Sequence, residues 1–220
     1  ESAERHGEGG TNAAYVAVSS LREALFGNAS EARRRASLSL ERSAGRDVKY
    51  GAALGFAYTG SNPRARAIME DLGKAFPEAT IAQSNYLPTL GAKLALNRGS
   101  APTALESLRI SRPYELGRVP PGAYVWLALY PVYVRGEAFL AARNGRDAAA
   151  EFEKILSHRG IVINEPIGAL ARLQLGRAYA LAGDSAKAKA SYQDFLTLWK
   201  DADPDIPIYK QAKAEYAKLQ

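Results

Sequence analysis

The side chains that could do acid–base or nucleophilic chemistry form no known catalytic pattern in this chain. There are two histidines, His6 and His158, and both fall in stretches that the sequence predicts to be irregular. No G-x-S-x-G nucleophile elbow, zinc-binding H-E-x-x-H or phosphate-binding G-x-x-x-x-G-K occurs. We therefore predict no catalytic residues and expect that this chain is not itself an enzyme.

Acidic residues alternate in DADPDIP (201–207), as they do at the start of a calcium-binding loop. An EF-hand loop needs glycine at its sixth position and glutamate at its twelfth. Ile206 and Ala212 stand there instead, so we interpret the stretch as a turn before the last helix. The chain has no cysteine, which excludes disulfides and thiolate metal sites. We predict no metal and no cofactor.

Basic residues are in excess, with a formal net charge of +6, but they are scattered among acids. The one run is RRRASL (33–38), which resembles a target for a basophilic kinase at Ser37. Ser37 lies in a predicted helix, where a kinase cannot grip an extended chain, so a solvated helix face is the preferred interpretation. No groove-reading motif is present, and we expect no nucleic-acid partner.

A repeat of about 40 residues organises the second half of the chain. Gly176, Tyr179, Ala188 and Tyr192 are separated by 3, 9 and 4 residues. The same spacing recurs 40 residues earlier, and looser copies lie further upstream. The matching positions are Gly136, Phe139, Ala148 and Phe152, then Ala92 and Ala104, then Ala53, Phe56 and Ala65.

These residue types are those needed where two helices pack closely. Spacings of three and four place both members of a pair on one helix face. Glycine inside a helix costs about 1 kcal/mol relative to alanine, so we expect Gly136 and Gly176 to be contact points between helices. Gly183-Asp184 is then the turn of a helical hairpin.

The predicted fold is all-α: a right-handed α-solenoid of about five helix–turn–helix pairs plus a capping helix. Alanine, leucine and long charged residues dominate the composition, which favours helix over strand. We predict a flexible lead-in or cloning remnant at 1–11 and a single domain at 12–220. The predicted pairs are 12–26 with 29–42, 47–59 with 62–75, 81–97 with 101–110, 122–143 with 146–158, and 166–182 with 185–199, followed by a capping helix at 207–220.

The pattern small-x-x-aromatic, Ala-x-x-x-aromatic is that of the tetratricopeptide repeat. The segments 96–117, 129–156 and 159–220 resemble something narrower, the C-terminal repeat region of large bacterial serine/threonine protein kinases, also found behind winged-helix regulators. The resemblance implies that a kinase or DNA-binding domain precedes this region. The chain begins with Glu1, and we expect it to be part of a longer protein.

In tetratricopeptide proteins the first helix of each pair lines a concave groove. Carried over, this resemblance implies a groove rich in tyrosine, whose broad apolar ring and hydroxyl suit peptide recognition. An alternative is that some of these tyrosines pack between repeats. The positions are Tyr50, Tyr58, Tyr86, Lys93, Asn97, Tyr130, Tyr133, Glu137, Gln174 and Arg177.

The expected function is a non-catalytic protein–protein interaction module that binds a peptide or partner domain, as the sensory or scaffold part of a bacterial signalling protein. Two alternatives stay open: a structural spacer or self-association unit, and a small-molecule sensor with a pocket under the 111–123 or 157–166 connection. The longest apolar runs are too short to span a bilayer, so we expect no membrane insertion. The compartment is the cytoplasm by default, or outside it if a transmembrane helix precedes this region.

Overall fold

The computed structural model describes residues 2–117 and 128–219, with side chains from residue 12 onward. Within these ranges every regular element is helical. A π-helical turn, Ala82–Tyr86, leads into α5, and a 3-10 turn, Arg109–Ser111, follows α6. The helices are α1 (Ser2–Phe26), α2 (Ala29–Arg42), α3 (Arg46–Tyr58), α4 (Asn62–Ala75), α5 (Leu87–Leu96), α6 (Ala101–Ser107), α7 (Tyr130–Ala141), α8 (Gly145–Ser157), α9 (Arg159–Val162), α10 (Pro166–Ala182), α11 (Ser185–Leu198) and α12 (Pro207–Ala217).

Most helices begin and end within a residue or two of the predicted positions, and α2, α4 and α10 match at both ends. The backbone of residues 2–11 is helical and continues into α1, where the sequence predicts a flexible lead-in. Residues 122–127, the start of the predicted helix 122–143, lie outside the described residues. The described helix α7 begins at Tyr130, with Pro131 in its first turn. Proline suits that place because its missing N–H has no helical partner there.

Successive helix pairs pack against one another in chain order. The first helices of the pairs, α1, α3, α5, α7 and α10, each contact the next, and each also contacts its own second helix. The last helix, α12, contacts both α11 and α1. Phe26 at the end of α1 meets Trp199 edge to face, with ring centroids 4.9 Å apart. The two ends of the helix array therefore touch.

One apolar core runs through the array. Its buried members come from α1, α3, α5, α7, α10 and α12 alike, for example Leu21, Leu54, Leu90, Tyr133, Leu173 and Ala212. Because this core reaches from the first helix to the last, the described helices pack as one body.

The two repeat glycines lie where helices of one pair touch. A Cβ added to Gly136 would lie 2.5 Å from Cζ of Phe152, and one added to Gly176 would lie 2.8 Å from Cδ2 of Tyr192. Both aromatic partners are the ones the repeat predicts. Among the other repeat positions, Ala53, Phe56, Ala65, Ala92, Ala104, Ala148 and Ala188 are buried, while Phe139 and Tyr179 are half-buried.

Candidate functional site

Four of the predicted groove tyrosines are buried in the core. Tyr50, Tyr86, Tyr130 and Tyr133 are each 2 % exposed or less. Tyr50 and Tyr86 stack on each other, with ring centroids 3.8 Å apart and planes within 7°. The expectation of an open groove lined by these rings is therefore corrected: the first helices of the pairs enclose the tyrosines, which fill the space between them.

Two of the four buried phenols bond to carboxylates across the helices. The Tyr86 hydroxyl donates to Asp47 at 2.9 Å, and the Tyr130 hydroxyl donates to Glu165 at 3.1 Å. Burial, together with the Glu165 carboxylate, raises the pKa of Tyr130 well above its ordinary value. Burial also raises the pKa of Glu165 to about 7, against the opposing effect of the Tyr130 hydrogen bond. These groups hold the first helices together and present no face to solvent.

Five of the ten predicted residues, Tyr133 among them, converge on a small cavity that is partly open to solvent. Its volume is about 140 Å³, and Ala24, Leu25, Leu170, Leu173 and Ile208 form its apolar walls. Its polar walls are five predicted residues, namely Tyr58, Tyr133, Glu137, Gln174 and Arg177. The sequence thus locates residues that meet around one partly open cavity.

The polar groups around this cavity already bond to one another. Glu137 accepts hydrogen bonds from the Tyr58 hydroxyl at 2.9 Å and from the Lys93 ammonium at 3.2 Å. On the opposite side the Arg177 guanidinium binds the Glu215 carboxylate at 2.8 and 2.9 Å.

Gln174 links the two sides of the cavity, because it donates to the Tyr133 hydroxyl at 3.1 Å and accepts from Arg177 at 3.2 Å. Charges of both signs are therefore mutually neutralised there, and the network serves to bring α7, α10 and α12 together.

Asn97 lies apart from the rest of the predicted set. Its side chain is exposed and donates to the Ala57 carbonyl and to Oδ1 of Asn62, both at 2.7 Å. It ties the end of α5 to the turn between α3 and α4, which is a structural role.

An exposed apolar segment follows α6, at the start of the 111–123 connection under which the sequence leaves a small-molecule pocket as an alternative. Ile110, Tyr114 and Leu116 are exposed, with half of the Tyr114 surface open to solvent (50 %). We call these residues together with Arg112 the 110–116 shelf. A cleft of about 640 Å³ lies beside it, lined by Leu105, Glu106, Arg109, Arg112, Phe139 and Pro102.

The shelf is anchored from below by buried charges. Glu115 is 2 % exposed and binds the guanidinium of Arg135, itself 1 % exposed, at 2.9 and 3.0 Å. Lys154 reaches Glu115 at 2.7 Å and Glu151 reaches Arg135 at 2.6 Å. The sequence SRPYELG (111–117) contains the pattern that indicates this shelf. Apolar residues alternate with charged ones there, in a segment that proline keeps from being helical.

The residues considered for chemistry have local structural roles. Nδ1 of His158 lies 2.8 Å from the Lys154 carbonyl at the end of α8, and Ser37 lies within α2, donating to the Arg33 carbonyl. In the 201–207 stretch, Asp205 pairs with Lys210 at 2.7 Å ahead of α12. Within the described ranges, no group of three or more acidic residues and histidines is placed to hold a metal ion.

No helix in the described part of the chain is both long enough and apolar enough to cross a membrane. Comparisons of the chain with protein-family models, with curated proteins and with solved structures give no match.

Proposed function

We propose that this chain is a non-catalytic protein–protein interaction module, a right-handed α-solenoid of about five tetratricopeptide-like pairs capped by α12. It would serve as the sensory or scaffold part of a bacterial signalling kinase or regulator. The close contacts of Gly136 with Phe152 and of Gly176 with Tyr192 support the repeat architecture. The observation that carries the binding function is the 110–116 shelf.

The shelf combines apolar exposure with a rigid support. Exposed aliphatic and aromatic side chains that lie together are typical of contact surfaces, and aromatic residues and arginine are enriched there. Glu115 is held in place by Arg135 and Lys154, so Tyr114 and Leu116 on either side of it are held in position before a partner arrives. Binding then costs less conformational entropy.

The positive charge of Arg112 indicates which kind of partner the shelf would bind. Arg109 pairs with Glu106 at 3.2 Å, whereas the Arg112 guanidinium has no partner among residues 12–117 and 128–219. A protein segment that carries an aspartate or glutamate beside an aromatic or aliphatic side chain would complement both the cation and the apolar surface. We assign this acidic–apolar segment as the partner of the shelf.

The test is selection from a phage-displayed library of random peptides against the immobilised protein. We expect enriched peptides to carry an acidic residue next to an apolar one, and Tyr114→Ala or Arg112→Glu to weaken their binding about tenfold or more. Tyr15→Ala is the matched control, since Tyr15 has nearly the same exposure, 49 %, but lies on α1. Peptides that bind all variants equally would overturn the assignment.

A measurement of the mass in solution at several protein concentrations tests the alternative of self-association. If the shelf binds a second copy of this chain, the mass in solution will rise with concentration, and Tyr114→Ala will abolish the rise. That result, with no peptide enriched, would replace the outside partner by a structural self-association unit.

A further inference from the structure

A second cleft lies at the corner that α9 makes between α8 and α10. Its volume is about 430 Å³, which falls in the usual range for small-molecule pockets. We call it the α9 cleft. The side chains that matter here are Ile155, Leu156, Ile163, Leu198, Arg159 and Arg172, all of which line it.

Ile163 at the edge of this cleft is unfavourable in two ways. Its φ is +50°, a backbone conformation that a β-branched residue adopts only with strain. Its side chain is 70 % exposed, so the strain is not offset by burial. Glycine would satisfy the backbone at no such cost. A ligand that covers the Ile163 side chain would provide the missing apolar contact.

A second apolar side chain faces the same space without a covering partner. Leu198, at the end of α11, is exposed and lines the α9 cleft together with Ile163. Ile155 is buried and Leu156 half-buried in the same wall. The cleft therefore has an apolar floor that continues out to two exposed aliphatic side chains.

Two cations also line the cleft. Arg159 is exposed and its side chain has no hydrogen-bond or ion-pair partner in the described ranges. Arg172 donates from one nitrogen to the Gly168 carbonyl at 2.9 Å, and it forms no ion pair with any described residue. One acidic residue, Glu165, lines the cleft as well, but it is buried and accepts the Tyr130 hydrogen bond.

We propose that the α9 cleft binds a small apolar carboxylic acid. The carboxylate lies between Arg159 and Arg172 and the hydrocarbon part covers Ile163 and Leu198. Arginine suits this role because its planar fork of N–H donors matches a carboxylate. The site and its ligand are independent of the protein partner proposed for the shelf.

The first test uses octanoate as probe and octan-1-ol as its uncharged match, each titrated into the whole 220-residue chain. Methyl NMR resonances of Ile155 and Ile163, together with calorimetry, report binding. We expect octanoate to shift both methyl groups and to bind at least about tenfold more tightly than octanol, the difference expected of a charge-assisted pair. Equal affinities of the two, or no shift of either methyl group, would overturn the proposal.

The second test uses substitutions. Arg159→Gln and Arg172→Gln should each weaken octanoate binding about tenfold and leave octanol unaffected, while Arg66→Gln, the same change at an exposed position on α4, should leave both unaffected. Ile163→Gly should keep or raise the melting temperature, because it removes backbone strain, and yet weaken octanoate binding. Ile163→Gly with undiminished affinity would show that the ligand does not cover this residue.

Discussion

Arg135 of α7 and Glu115, which anchors the shelf, form an ion pair that solvent hardly reaches, with 1 % and 2 % of their side chains exposed. A buried pair of this kind adds little net stability compared with an apolar pair, but loss of one partner leaves an uncompensated charge in the interior. The pair therefore fixes where the chain runs after α6 more than it stabilises the fold.

Glu115→Ala should lower the free energy of unfolding by about 3 kcal/mol, because it removes the buried carboxylate that Arg135 and Lys154 share and leaves Arg135 with Glu151 alone. Urea denaturation at neutral pH measures the change. The matched control is Glu106→Ala, which removes a carboxylate whose Arg109 partner is largely exposed and should change stability little. Similar losses in both variants would contradict the importance of burial for this pair.

Alanine in place of a helical glycine should have opposite effects at two positions. Gly91 lies within α5 with open space around it, so Gly91→Ala should stabilise the protein by up to about 1 kcal/mol. Gly136→Ala would put a Cβ 2.5 Å from the Phe152 ring and should destabilise it despite the better helix propensity. Thermal unfolding of both variants decides the matter, and a rise in melting temperature for Gly136→Ala would contradict close packing.

These glycines show which parts of the structure the sequence predicts well. Helix positions and the Gly136–Phe152 contact follow from periodicity and spacing, which are local. The burial of Tyr50 and Tyr130 does not, because it depends on how far the helix array curves inward and on which distant carboxylate each hydroxyl meets. Glu165, for example, bonds to Tyr130 from 35 residues away. Exposed tyrosines on one groove and buried tyrosines between helices have the same sequence pattern.

Stability should fall as pH rises through the range in which Glu165 titrates. Its pKa is about 7 in the folded protein against an ordinary 4.5, so the folded state holds the proton more tightly than the unfolded state. This contribution favours folding below pH 4.5 and is lost between pH 4.5 and 7, by an amount on the order of 3 kcal/mol at most.

Glu165→Gln removes this titration and keeps an acceptor for the Tyr130 hydroxyl. Its melting temperature should exceed that of the wild type at pH 8, and the difference should shrink towards pH 4.5. A difference that does not depend on pH would mean that Glu165 ionises equally well in the folded and unfolded states.

Alanine substitutions of Tyr86 and Tyr114 should distinguish a core residue from a residue of the binding surface. Tyr86→Ala removes a ring that is stacked on Tyr50 and 1 % exposed, and should cost about 3–5 kcal/mol of stability. Tyr114→Ala removes an exposed ring of the shelf, and should leave the melting temperature nearly unchanged while it weakens the binding of peptides selected on the wild type about tenfold or more. Measuring melting temperature and peptide affinity on both variants gives the result. If Tyr114→Ala kept its peptides and a folded Tyr86→Ala lost them, peptide binding would depend on the buried tyrosines and not on the shelf.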